Sequence, residues 1–471
     1  MPDLLRPLPS RDALREHVLV SLRRYWKDGE GAVRTLPVHE TDAPDVRLPL
    51  LLIEVTLPEW GRGCGIDGKL FVPQEACVSS PADWQSVDWW LAAFLLLEGW
   101  HERILEAQRG PIHSYSRKLR GWDTRAWERA WVNRIAIFLR RWVAELHDRP
   151  EEGLFGPLPE AEILLTHDVD AVKKTVAIRI KQSLFLLFNA LRFLTKGEFS
   201  SALKRLSQGA KFLFRNSSWQ TFDDLLELEF EASVRACYNF YADGRPKNLR
   251  RLFFDPGYSL SDPEVGQLLC TLSERGMLFG LHPSFDSWSD GDAIGQQKLA
   301  LERTVGKKID ICRQHWLRFS WEFTWSAQEK AGLGLDTTLM FNDHAGFRTS
   351  SALQWHPYNP DTGRAHTLEA LPTLFMDSHF YDYAPVTAQE RRRAISEWLG
   401  EVRSVGGQAA LLWHPHTLSE DYGWHNGLRD VVHNLREAKN DHMVHSQNYA
   451  RPHRQSTVGR QGKMGPDCTG R

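Results

Sequence analysis

The chain of 471 residues is poor in cysteine, almost neutral overall, and has no long apolar run. Its six cysteines, at 64, 77, 237, 270, 312 and 468, form no Cys-x-x-Cys pair. That usage fits reduced thiols better than a disulfide framework. Lysine and arginine total 58 against 60 acids, a formal charge of -2, so the chain as a whole has no pull toward nucleic acid or membrane. The opening Met1-Pro2-Asp3-Leu4-Leu5-Arg6-Pro7 lacks a continuous hydrophobic segment, so no standard signal peptide is expected and the chain is assigned to the cytoplasm. The length accommodates two or three domains, each with its own core.

Chemistry concentrates where short apolar runs end. Glu162-Ile163-Leu164-Leu165 reads as a buried strand and closes in Thr166-His167-Asp168-Val169-Asp170. Asp168 and Asp170 are two apart and share a side if the backbone stays extended, so one carboxylate can bind a cation while the other stays free as a base. An acidic turn would look similar, because Asp is favoured in turns. The pattern recurs, however. Gly276 to Leu281 runs into His282-Pro283-Ser284-Phe285-Asp286, and Gln408 to Trp413 runs into His414-Pro415. Asp and His together supply metal ligands and a proton donor for neutral pH, at the strand edge where α/β folds gather their chemistry.

In these motifs the chain resembles the polysaccharide deacetylases of the NodB-homology type. Their first motif, Thr-Phe-Asp-Asp, is matched by Thr166-His167-Asp168-Val169-Asp170, with one residue between the acids as in a divergent branch. The resemblance implies Asp168 as general base and Asp170 as metal ligand. The second motif, His-Ser/Thr-x-x-His, aligns with His282-Pro283-Ser284-Phe285-Asp286; it implies His282 as a ligand and Ser284 at the substrate, but the second histidine is missing. Asp286 stands in its place, as ligand or as a solvated turn residue. The third motif, Arg-x-Pro-aromatic, looks like Arg313-Gln314-His315-Trp316: Arg313 would keep Asp168 ionised, Trp316 would wall the sugar, and His315 is a rival third ligand. Asp336 resembles the fourth-motif acid that orients the catalytic histidine. Leu412-Trp413-His414-Pro415 resembles the fifth motif, which implies His414 as general acid and Trp413 at the substrate.

Two segments imitate these motifs. Thr221-Phe222-Asp223-Asp224 copies the first letter for letter, yet Leu225-Leu226-Glu227-Leu228-Glu229 follows, which reads as an amphipathic helix with its cap and first-turn acids. Trp355-His356-Pro357 repeats Trp413-His414-Pro415 without an apolar strand before it, and reads as a surface or substrate loop.

The fold class expected is α/β. Alternating helical and short apolar segments argue for a parallel sheet wound with helices, and the resemblance implies a distorted (β/α) barrel over residues 156–440. Residues 1–155 are expected to form a smaller accessory α/β domain, joined through a linker between Asp148 and Pro159. Trp127, Trp131, Ile135, Phe138 and Trp142 in it fall at helical spacing, a packed face or a carbohydrate-stacking one. The polar stretch 441–471 is expected to be disordered.

Residues 172–216 form a basic helical insertion with ten cations against the single acid Glu198, and with apolar residues between them. It is expected either to lie on an anionic lipid surface or to pack on the barrel with its charges solvated. The whole pattern implies a metal-dependent hydrolase, most simply with Zn2+, that removes N-acetyl groups from a sugar of a cell-surface polysaccharide or its lipid-linked precursor. The rival readings are an esterase or non-sugar amidase on the same fold, and a weakly catalytic glycan-binding protein. No nucleic-acid partner is expected.

Overall fold

A computed structural model describes residues 7–41, 45–78, 82–195, 197–215, 217, 219, 221–383 and 386–441. Apart from residue 441, the expected disordered tail lies outside them. Helix α1 (Arg11–Ser21) starts at Ser10, whose hydroxyl accepts from the Ala13 amide, and α2 (Glu30–Arg34) follows. A small sheet comes next, in which β1 (Leu52–Thr56) pairs antiparallel with β2 (Lys69–Pro73) and parallel with β3 (Ala82–Asp83). Then come α3 (Trp89–Leu97), α4 (Trp100–Arg109), α5 (Trp131–Leu146) and α6 (Glu151–Phe155). Every residue of α3 is buried. Trp131, Ile135, Phe138 and Trp142 of α5 are buried too, and so is Trp127 just before it, so this face packs and leaves no ring for a sugar.

The main sheet begins with β4 (Glu162–Val169). Helices α7 (Val176–Thr195), α8 (Phe199–Phe214) and α9 (Thr221–Glu231) lead to β5 (Cys237–Phe240). Next are α10 (Leu249–Phe254), α11 (Pro263–Glu274), β6 (Leu278–Leu281), α12 (Gly291–Val305), β7 (Ile311–Cys312), α13 (Thr324–Lys330) and β8 (Leu335–Asp336). A two-stranded excursion of β9 (Tyr358–Asn359) and β10 (Arg364–Ala365) precedes β11 (Glu369–Ala370) and β12 (Thr373–Met376). Helix α14 (Ala388–Ser404), β13 (Gln408–Leu412) and α15 (His425–Asp441) complete the described chain.

The eight strands lie in the order β11-β8-β7-β6-β5-β4-β13-β12, every neighbouring pair parallel. Its two edges, β11 and β12, are separated in the chain only by Leu371 and Pro372. The sheet therefore curls until its edges meet, and strands follow one another around the ring in chain order: a distorted (β/α) barrel. Alternation along β4 decides what faces where. Leu164 joins Cys237, Ile311, Leu335, Leu371 and Ala410 in an apolar plug inside the barrel. Ile163, Leu165 and Val169 join the large core between sheet and helices. Thr166 and Asp168 continue the inward series of Leu164, so Asp168 arrives above the plug at the carboxyl end of the strands.

The described part of residues 1–155 packs against the barrel. One continuous apolar core runs from Leu14 to Leu435, and buried polar bonds sew the two parts together. Arg348 pairs with Glu102 at 2.7 Å, Arg134 with Glu401 at 2.6 Å, and the Tyr25 hydroxyl donates to the Val405 carbonyl at 2.7 Å. The expected linker is not loose either: Phe155 is buried, and Arg140 fixes Gly156 by its carbonyl (2.7 Å) and Glu151 by its carboxylate (2.8 Å). The first imitation motif opens α9, with Asp223 and Asp224 exposed in its first turn. The second is corrected. Trp355 is buried and donates to Glu98 at 2.9 Å, and His356 lies beside Glu162 and Gln408, at the opposite end of the strands from Asp168.

Candidate active site

Three side chains converge at the carboxyl end of the barrel: Asp170 after β4, His282 after β6 and His315 after β7. His282 Nδ1 donates to the Arg313 carbonyl at 2.8 Å, and His315 Nε2 donates to the Phe254 carbonyl at 2.6 Å, because a carbonyl can only accept. The remaining nitrogens, His282 Nε2 and His315 Nδ1, face each other 2.6 Å apart and carry lone pairs when both rings are neutral; in the metal-free chain burial lowers the His282 imidazole but the Asp168 and Asp170 carboxylates raise it more. Each nitrogen stands 3.5 Å from Asp170 Oδ1, a buried oxygen with no hydrogen-bond partner. Three donors so pointed need a cation between them: a proton on His282 serves in the metal-free chain, and a metal ion would take its place. Ligand atoms about 2.0–2.2 Å from a tetrahedral zinc stand roughly 3.3 Å apart, so two edges already fit and the third needs to open by under about 1 Å. The backbone bonds of both histidines fix tautomer and ring orientation, as in metal sites generally. Among the described residues no other set of His, Cys, Asp and Glu atoms converges in this way.

Asp168 sits beside this triad, 2 % exposed. Its Oδ1 accepts from Asn239 at 2.7 Å and from the buried Arg313 guanidinium at 3.4 Å. Burial pushes the carboxyl up, but the charges of His282, Arg313 and His414 outweigh it and hold Asp168 below the usual carboxylate range. Arg313 is itself set by Thr166, by the Thr337 carbonyl (3.0 Å) and by Thr373 (2.8 Å), all lining the barrel interior. Asn239 has room because residue 280 is glycine: a Cβ there would lie 2.0 Å from Asn239 Oδ1.

Across the site His414 Nε2 points at Asp170 Oδ2, 3.8 Å away. Its Nδ1 donates to Asp377 Oδ1 and its amide to Asp377 Oδ2, both at 2.9 Å, while Thr417 also donates to Asp377 at 3.0 Å. Burial lowers the imidazole and the Asp377 carboxylate raises it more, to about 9. A dication on Asp170 would draw that value down. His315 is pushed the other way, to about 4, by burial and by the neighbouring His282 charge, so it stays neutral as a ligand must.

Four expected roles are corrected. Asp336 does not reach His414; its buried carboxylate takes bonds from Trp325 (3.0 Å), Gln328 (2.8 Å) and Thr338, and burial raises its pKa. Asp377 fills that role, and Leu374-Phe375-Met376-Asp377 carries the same apolar-strand-then-acid signal as β4, unread there. Asp286 is half-exposed and bound by Arg250 (2.7 Å) and Arg318 (3.0 Å), outside the triad. Ser284 is buried, its hydroxyl accepting from Gln297 at 3.2 Å. Trp413 is wholly buried against Tyr381 and cannot meet a substrate.

A crevice of about 170 Å³ opens on the triad, lined by Asp170, His315, Trp316, Lys181, Trp219 and His416. Trp316 is 37 % exposed and is carried on a left-handed backbone (φ 57°). The N-terminal region braces that turn: Ser114 donates to the Leu317 carbonyl at 2.7 Å. Two larger depressions, of about 940 and 580 Å³, hold no such convergence of donors.

No family model and no curated protein matches the chain. Solved structures align with it, two of them as follows. One is a presumed polysaccharide deacetylase from Mycobacterium smegmatis, 17 % identical over 65 % of this chain and 96 % of that one, with a TM-score of 0.37. The other is a mutant CE4-family pseudoenzyme with restored enzymatic activity, 11 % identical over 59 % of this chain and 63 % of that one, with a TM-score of 0.28. The chain is similar to both.

Proposed function

We propose that this protein is a metal-dependent hydrolase that removes N-acetyl groups from a sugar of a cell-surface polysaccharide or its precursor. The observation that carries the reading is the triad of Asp170, His282 and His315, three ligand-type side chains converging on one place, with an ionised Asp168 on one side and a protonated His414 on the other. A zinc ion bound there would polarise the acetyl carbonyl and lower the pKa of water.

The chain's own groups divide the proton work. Asp168, kept ionised by Arg313 and Asn239, takes a proton from the attacking water. His414 holds a proton on Nε2 because Asp377 occupies its Nδ1, and passes it to the departing amine. Asp377 acts only through His414 and is a positioning residue. The exposed Trp316 ring offers an apolar face to a sugar at the rim. The glycan-binding alternative drew on the missing second-motif histidine; His315 supplies a nitrogen in its place, which leaves that alternative without its main support.

The test is acetate release from a panel of N-acetylated glycans. Activity should vanish with a chelator, return with Zn2+, and be lost in Asp168→Asn while metal stays bound, since base and ligands are different residues. Full turnover by metal-free protein would sink the reading.

A further inference from the structure

Within the insertion over residues 172–216, α7 and α8 form a helical hairpin whose outer surface is covered by no other described residues. On α7, Val176, Ile180, Leu184, Leu187, Leu191 and Leu194 recur every three or four residues and are all at least 40 % exposed. On α8, Phe199, Leu203 and Leu206 keep that spacing and Phe214 follows two turns on, from 41 % to 80 % exposed. The inner faces, by contrast, are spent. Leu186, Ala190, Ala202 and Phe212 are buried, and Ser183 bonds the Gly209 carbonyl across the hairpin at 3.0 Å. The cations divide in the same way. Lys173, Lys174, Arg205 and Arg215 anchor the hairpin to Glu264, Asp421, Asp382 and Glu420 of the body, at 2.7–3.0 Å. Arg192, Lys204 and Lys211 remain exposed, with no carboxylate partner among the described residues.

We infer that this hairpin docks in the interface of an anionic lipid bilayer, apolar stripes in the acyl boundary and Arg192, Lys204 and Lys211 against headgroup phosphates. Apolar stripes of this size cost free energy in water, and a rim of unpaired cations says what covers them. A second copy of the chain would bring the same three cations face to face, which repels. Spanning is excluded for the described helices: none is long and apolar enough to cross a membrane. Ile178, Lys181 and Gln182 of α7 also line the crevice over the triad, so docking holds its mouth beside the bilayer. That a glycan carried on lipid would then reach the site rests on the deacetylase reading; the docking does not.

The experiment is co-sedimentation of the full chain with phosphatidylcholine vesicles, with and without phosphatidylglycerol, at low and high salt. Binding should require the anionic lipid and weaken with salt. Changing Arg192, Lys204 and Lys211 to Gln together should lower it about 100-fold, roughly fivefold per cation. Leu187→Glu with Leu191→Glu should lower it by about tenfold or more, with melting temperature and circular dichroism recorded to show that both variants fold. No binding to anionic vesicles, equal binding to neutral ones, or unchanged binding of the folded cation variant would overturn the inference. So would light scattering that shows a dimer which Leu187→Glu breaks. The readout needs no turnover, so a failure of deacetylation leaves it intact.

Discussion

Removing the His315 imidazole separates the triad from the ligand set that the motif spacing alone would allow. In His315→Ala the facing pair with His282 (2.6 Å) disappears, and so does one of the two nitrogens 3.5 Å from Asp170 Oδ1. Only Asp170 and His282 remain. Loss of a group that merely orients a ligand costs about 10–100-fold in metal affinity, so loss of a ligand should cost at least about 100-fold, or roughly 2.7 kcal/mol. The Phe254 carbonyl loses the His315 donor at 2.6 Å but keeps the Trp316 indole N–H at 3.3 Å, so that bond should cost the metal-free protein no more than about 1 kcal/mol. Asp286→Ala is the paired control. Its bonds to Arg250 and Arg318 lie on a half-exposed carboxylate and are worth under about 1 kcal/mol, and its zinc affinity should not move. Competition titration against a chromophoric zinc chelator measures both. If Asp286→Ala weakens binding while His315→Ala does not, the triad is wrong and the acid is the ligand.

Two further outcomes follow from the supporting residues. In Asp377→Asn the largest charge holding His414 near 9 is removed, so the basic limb of the kcat profile should fall by roughly two pH units with KM little changed. Because that pKa is raised on folding, the stability it contributes to the metal-free chain is full below the ordinary 6.5 and is lost as pH rises through 9; melting of wild type and variant should differ most near pH 6 and converge above 9. Gly280→Ala puts a methyl 2.0 Å from Asn239 Oδ1, so it should cost about 1–3 kcal/mol and slow acetate release by freeing Asp168, whereas an unchanged rate and melting point would show that Asn239 does not hold the base.

Much of the site was legible locally. Strand alternation alone put Asp168 and Asp170 on one side, and the apolar runs before His282 and His414 marked the strand ends that carry them. Helix chemistry likewise settled Thr221-Phe222-Asp223-Asp224 as the start of α9. The tryptophans around α5 read correctly as a packed face because a 3.6-residue period reports burial directly. What failed were assignments that depend on which strand ends meet in space. Asp336 and Asp377 both end apolar strands, and only the closing of the barrel brings β12 rather than β8 beside His414. Between Asp286 and His315 the sequence favoured His315 only slightly, as the better zinc ligand, and the placing of the β6 and β7 ends against β4 separates them. Ser284 and Trp413 adjoin site residues in the chain, yet strand alternation and helix packing turn them inward.

The sequence by itself determined the α/β class, helices alternating with short apolar strands, and the strand ends where the chemistry stands, because each depends on backbone periodicity over a few residues; the barrel was implied by the family resemblance. Only the tertiary structure decided the third ligand, the partner of His414, the single core shared by the two halves, and which cations of the hairpin are spent on the body and which face outward. Those depend on distances between segments tens to hundreds of residues apart, which barrel closure and core packing set and no local pattern encodes.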